Sequence, residues 1–185
     1  MNILILTYQG DIAGSTNSIS YLARGLSEKG HNVYVGCRRE SLLYSLLKDT
    51  KVNLIEMTFK SKLDYKNMKR INEFVKKYNI DIINAQSSKD RYTSIFSKIL
   101  YRFDSKIVHT RRQTPKSSGF FLQNWLYNKC TDMFVAVSDE VKEELIKGGI
   151  AKDKIRVIYN GTPNYKYENI DTSQKEVLKK KYGIK

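Results

Sequence analysis

The stretch that decides the fold is residues 2–37, NILILTYQGDIAGSTNSISYLARGLSEKGHNVYVGC. It opens with NILILT, an apolar run without alternation, as expected of a parallel strand covered on both faces. A loop from Gly10 to Gly14 follows. Ile19, Leu22, Ala23 and Leu26 then recur at i, i+3, i+4 and i+7, and Gly30 supplies a helix stop. A second apolar run, Val33 to Cys37, begins within a connection typical of α/β units. The whole reads as strand, glycine loop, helix, strand, a crossover that is right-handed and parallel.

The alternation continues outward from this unit. Leu42 to Leu47 reads as a short helix and Val52 to Met57 as a strand, followed by a helical stripe at Met68, Ile71, Val75 and Tyr78. Asp81 to Ala85 is a fourth strand; Tyr92, Ile95, Phe96 and Ile99 mark a helix, and Lys106 to Thr110 is a fifth strand with His109 at its end. After a loop holding Pro115 and Gly119, Leu122 to Tyr127 is helical and Met133 to Val137 is a strand. Ser138 then caps a helix, with Asp139 and Glu140 in its first turn, where the helix dipole favours them. Ile155 to Tyr159 is the seventh strand.

Seven strands alternating with helices predict a doubly wound, Rossmann-like α/β parallel sheet. Ligands are expected outside the carboxyl ends of the strands, at the point where the strand order reverses. The pattern favours the first strand in the middle, the second and third on one side, and the fourth and fifth on the other. The reversal then falls between strands one and four, and the loops to inspect are 8–15, 84–90 and 110–119. Asn160-Gly161-Thr162-Pro163 breaks the chain direction. The expected domain is therefore 1–162, leaving 163–185 as a linker and a short helix anchored by Val177 and Leu178.

Composition narrows the chemistry. Two cysteines, Cys37 and Cys130, and two histidines, His31 and His109, lack metal-ligand spacing, so no metal site is expected. There is no G-x-S-x-G elbow for a serine hydrolase. The apolar run at 3–6 is too short for a signal segment, and no run approaches the roughly 18 apolar residues of a membrane span. A cytoplasmic protein is the expectation. The net charge of +14, from 33 basic and 19 acidic side chains, suits a polyanionic partner as well as a lysine-rich solvated surface. Much of the excess decorates one helix and its approach: Lys60, Lys62, Lys66, Lys69, Arg70, Lys76 and Lys77 against Asp64 and Glu73. That patch suits an anionic membrane surface at the inner face of the cell membrane.

Three segments together carry a family resemblance. AGSTNSISYLARGLSEKGHNVYV resembles the glycine loop and first helix of the retaining, family-four, GT-B glycosyltransferases. DIINAQSSKDRYTSIFSKIL resembles the segment in which that family usually has H-A-H. DMFVAVSDEVKEELIKGGIAKDKIRVIYNGT resembles its D-x-x-x-A-V-S, helix, K-I-x-V-I-x-N-G segment and is the most specific of the three. The resemblance extends over about residues 1–185 with consistent spacing.

The resemblance implies an enzyme of two Rossmann-like domains, the first holding the acceptor and the second a UDP- or GDP-sugar donor, with no further cofactor. This chain resembles the first domain, and the paired glutamates of the donor domain are absent from it. It is read as the acceptor half, inactive alone, with the C-terminal donor domain as its missing partner. The implied reaction moves a sugar to a saccharide or lipid-linked acceptor in bacterial surface polysaccharide synthesis, such as lipopolysaccharide or capsule. Ala13-Gly14-Ser15 stands at the family's G-G loop, so Gly14 and Ser15 would approach the donor diphosphate at a helix N-terminus. A turn before a helix explains the same glycine. Arg112, or a neighbour, stands where the family often has a histidine after the fifth strand that meets the donor sugar, and Arg112 is the candidate catalytic residue. Arg is no base, but in retaining transfer the leaving diphosphate can itself accept the acceptor's proton.

Asn84, Gln86, Ser87, Arg111 and Lys116 are the candidate acceptor-binding residues. Arg111, Arg112 and Lys116 on one loop suit a phosphate or uronate-type acceptor by bidentate pairing, and an exposed basic loop explains them equally. Asp90 and Asp139 are accounted for by helix starts. Two other functions compete. In an NADP-binding domain, Arg38-Arg39 would hold a 2′-phosphate, but YQGDIAG lacks the G-x-G-x-x-G loop. A basic non-catalytic binding module is the other. No nucleic-acid-binding signature is present, so no nucleic-acid partner is expected.

Overall fold

The computed structural model describes residues 1–113, 121–164 and 175–183. Seven strands are formed: β1 (Asn2–Leu6), β2 (Asn32–Cys37), β3 (Asn53–Glu56), β4 (Ile82–Ala85), β5 (Lys106–Arg111), β6 (Met133–Ala136) and β7 (Ile155–Val157). They alternate with α1 (Gly14–Glu28), α2 (Leu42–Leu47), α3 (Tyr65–Tyr78), α4 (Ser88–Tyr101), α5 (Phe121–Cys130) and α6 (Asp139–Lys147). A final helix, α7 (Lys175–Tyr182), follows. The strands make one parallel sheet in the order β3-β2-β1-β4-β5-β6-β7. β1 lies between β2 and β4, with Ile3 opposite both Val33 and Ile82. The order reverses between β1 and β4, as the sequence predicts.

The unbroken apolar run of β1 is explained by what covers it. Side chains of a strand alternate between faces, so Ile3 and Ile5 pack with Ile19 and Ala23 of α1 and Leu43 and Leu47 of α2. Leu4 and Leu6 turn the other way and meet Ile71 and Val75 of α3 and Ile83 of β4. A third cluster joins Ile107, Phe134 and Ile155 of β5 to β7 to Ile95, Tyr127, Val141 and Leu145 of the helices above them. Burying each such side chain contributes about 1.5–3 kcal/mol before chain entropy is set against it. Charging any residue of β1 from Ile3 to Leu6 would therefore disrupt a two-sided core.

The punctuation acts where the sequence places it. Gly30 adopts a φ of 82° and the His31 N–H donates to the Leu26 carbonyl at 3.1 Å, closing α1 in a left-handed turn that favours glycine. Ser138 caps α6 by accepting from the Val141 N–H. Two placements differ from the sequence reading. His109 is inside β5 rather than at a strand end, opposite Ala85 and Phe134, because β5 continues to Arg111. The last strand stops at Val157; Ile158 still donates its N–H to Ala136, but its side chain and that of Tyr159 are exposed. The loop of Pro115 and Gly119 lies outside the described residues. Among the described residues no helix is long and apolar enough to cross a membrane.

Candidate functional site

Parallel strands all direct their carboxyl ends one way, so the loops after β1, β4 and β5 meet at one end of the sheet. A single carboxylate fastens two of them. Asp90, fully buried in the first turn of α4, accepts from the Tyr8 N–H at 3.2 Å and from the Gln86 and Ser87 N–H groups at 2.8 Å each. Burial pushes its carboxyl up to about 7, while the amide hydrogen bonds pull the other way. Ser87 adds a hydroxyl contact to Thr7 at 3.0 Å and completes a capping box with Asp90. The loop after β1 and the start of α4 are thereby held as one rigid rim.

A cavity of about 250 Å³ opens beside this rim, lined among others by Tyr8, Gln9, Ser15, Gln86, Ser87 and Ser88, with Arg91, Arg111 and Arg112. Arg112 donates to the Gln86 side-chain oxygen and, at 3.4 Å, to the Ser18 hydroxyl of α1. Burial lowers the Arg112 guanidinium to about 10. Arg111 is likewise brought down to about 10, by burial first and by the neighbouring Arg91 charge second. The Nε atoms of Arg91 and Arg112 and the Gln86 amide nitrogen are buried without a hydrogen-bond partner.

A second, more apolar cavity of about 430 Å³ lies on the α1 side of the sheet, lined by Ser18, Tyr21, Asn84, Thr110, Arg112, Val135 and the 158–163 segment. Ser18 ties α1 to that segment through Asn160 at 2.7 Å, and the Thr110 hydroxyl donates to the Asn84 side-chain oxygen at 3.0 Å.

The structure thus brings Ser15, Gln86, Ser87, Arg111 and Arg112 to one cavity. It places Asn84 in the neighbouring one, with Arg112 lining both. Asn84 faces that side because it sits within β4, where alternation fixes its direction, whereas Gln86 lies beyond the strand end. The expected single concavity is to that extent two. Gly14 is exposed and lines neither, and a Cβ there would meet nothing within 4 Å. Any need for glycine at position 14 is therefore not one of packing within this chain. Lys116 lies outside the described residues.

Tyr8, Gln9, Ser88 and Gln113 fall in the loops singled out from the sequence but not among its candidate residues, and Arg91 lies just outside those loops. The signal available for Arg91 was its position one residue past Asp90, in the first turn of a helix that follows a central strand. Arg38, a candidate for a nucleotide 2′-phosphate, instead pairs with Asp11 at 2.6 Å. His109 is fully buried, edge-on to Tyr127 and Phe134, and its pKa is driven well below the usual value by burial and then by Arg91 and Arg111. It faces the core and lines neither cavity. Among the described residues no group of three or more His, Cys, Asp or Glu is placed to hold a metal ion.

Comparison with known proteins supplies the context for this geometry. Residues 12–163 match the family described as Glycosyltransferase Family 4. No curated protein matches the chain. Among solved structures, Anabaena HepE in complex with UDP-glucose superposes with a TM-score of 0.78 at 18% identity, over 99% of this chain and 50% of that one. A glycosyltransferase from Rickettsia africae superposes with a TM-score of 0.76 at 26% identity, over 100% of this chain and 50% of its own. The lipopolysaccharide outer core galactosyltransferase WaaB, in its apo form, superposes with a TM-score of 0.66 at 16% identity, over 88% and 46%. The chain thus spans about half the length of these structures.

Proposed function

The chain belongs to Glycosyltransferase Family 4, and from that premise we propose that it is the acceptor-binding half of a retaining glycosyltransferase. The enzyme would take a sugar from a UDP- or GDP-sugar and transfer it to a saccharide or lipid-linked acceptor of a bacterial surface polysaccharide. The observation that carries this reading is the cavity at the β1/β4 reversal, where Ser15, Gln86, Ser87, Arg111 and Arg112 converge. In this reading residues 1–162 hold the acceptor, and 163–185 lead toward a second domain that binds the nucleotide. Ser15, at the start of α1, meets the donor diphosphate with the helix N-terminus behind it. Arg112, held by Gln86 and Ser18, stabilises charge developing on the leaving diphosphate without exchanging a proton. Gln86, Ser87, Arg111 and Lys116 orient the acceptor, with Asn84 contributing from the adjoining cavity.

The exposed lysines of α3 and its approach, beside the exposed Leu63 and Tyr65, support a peripheral position on an anionic membrane, where a lipid-linked acceptor resides.

The test is turnover. The purified 185-residue chain should convert neither UDP- nor GDP-sugars, and adding the donor-binding half should produce transfer with retained anomeric configuration. Measurable turnover by the 185-residue chain alone would overturn the division of labour.

A further inference from the structure

The cavity between the β1 loop and α4 has an unusual chemical balance. Arg91, Arg111 and Arg112 line it, and among the described residues no aspartate or glutamate does. Among the described residues none of the three arginines is ion-paired with a carboxylate. Asp90 stands behind the wall with its oxygens committed to three backbone amides. The polar atoms left without partners here are all donors: the Nε groups of Arg91 and Arg112, and the Gln86 amide nitrogen, whose oxygen already accepts from Arg112. Ser87 and Ser88 on the rim mark the N-terminus of α4, whose dipole favours a negative group at that point.

Buried donors without acceptors, and like charges held together, are costly unless a ligand completes them. After burial, the Arg91 charge is the next cause that lowers the Arg111 guanidinium. What would complete the set is a compact, acceptor-rich anion, and guanidinium forks match tetrahedral phosphate oxygens in geometry.

We propose that this cavity seats a phosphoryl group carried by the acceptor, gripped by Arg91 and Arg111 and closed by Arg112 and the start of α4. The proposal rests on the reading of this half as the acceptor side and narrows it: the acceptor is a phosphorylated saccharide or a lipid-linked phosphosugar rather than a neutral glycan. The donor's diphosphate is the other source of the same chemistry. Ser15 and Arg112, the groups read above as meeting the donor diphosphate, also line this cavity, whereas Arg91 and Arg111 have no part in that reading and are left for the acceptor.

The probe is inorganic phosphate, titrated into the full chain at low ionic strength and followed by amide chemical shifts and by thermal stabilisation. Saturable binding is expected. Arg91→Gln and Arg111→Gln should each weaken it about tenfold, as loss of one charge-assisted contact implies, and Arg91→Lys should recover part of the loss. Circular dichroism identifies a variant that fails to fold, and the second position then carries the test. Saturable phosphate binding that UDP does not displace supports the acceptor assignment; displacement by UDP assigns the seat to the donor and overturns it. Absence of saturable binding, or binding that survives both Gln variants unchanged, overturns the seat itself. Because phosphate binding needs no turnover, a protein that binds phosphate in this way but never transfers sugar refutes the proposed transfer and leaves the anion seat standing.

Discussion

Replacing His109 by phenylalanine should remove most of one proton's worth of acid sensitivity from the fold. The imidazole is fully buried in β5, edge-on to Tyr127 and Phe134 with centroids 5.5 and 5.4 Å away. Its Nδ1 lies 3.4 Å from the Thr131 hydroxyl, and its Nε2 has no partner. Desolvation, then the charges of Arg91 and Arg111, hold its pKa well below the ordinary 6.5. The sign follows from which state takes the proton. Below pH 6.5 the unfolded chain protonates His109 and the folded chain does not, so stability is present above that pH and is lost as pH falls toward the folded value. One proton of difference costs about 1.4 kcal/mol per pH unit, which amounts to roughly 2 kcal/mol between pH 8 and pH 5. Phenylalanine keeps the edge-to-face contacts and has nothing to titrate. Its greater volume adds an offset of about 1–3 kcal/mol in a packed core, but that offset does not vary with pH. Urea unfolding at a series of pH values, with the m-value held constant, separates the two effects. The variant's stability should decline less on acidification, by roughly the 2 kcal/mol given by that linkage. Parallel profiles for the two proteins would show that His109 accepts a proton inside the fold and would refute the argument.

Two further outcomes follow from packing and capping. Gly36→Ala would set a Cβ 2.7 Å from Leu6 Cδ2 and 2.9 Å from Met57 Sδ, and should destabilise by about 1–3 kcal/mol in denaturant unfolding; an unchanged midpoint would show that Met57 moves aside freely. Ser138→Ala removes the hydroxyl that accepts from the Val141 N–H and should cost about 1 kcal/mol, read as faster amide exchange in the first turn of α6.

The architecture was legible because it rests on periodicity. NILILT had to be covered on both faces, and the alternation of strand and helix left β1 and β4 as the place where the order reverses. The capping assignments at Ser138 and Gly30 were legible for the same reason, since each depends on a few neighbouring residues. The site was legible only in outline. Arg91 escaped because the apolar residues Tyr92 and Ile95 of α4 draw attention to the packed face, whereas a guanidinium in the first turn is indistinguishable from a solvated one. Asn84 and Gln86 look equivalent in sequence, yet one lies inside β4 and the other past its end, and that places them in different cavities. His109 looks like a strand end in sequence because nothing local shows that β5 runs on to Arg111.

The position of β1 in the sheet also governs how the chain can assemble. Its pairing with β2 closes across about one helix of intervening sequence, whereas Ile3 must wait for Ile82. On the ribosome, one edge of NILIL is therefore left without its partner while α1, β2, α2, β3 and α3 are made. Contacts so distant in sequence slow folding, and an apolar strand with an open edge is prone to pair with another chain meanwhile. Both outermost strands of the finished sheet are short, β3 at four residues and β7 at three. The mature edges are thus poor templates, and the hazard is confined to the interval before β4 arrives.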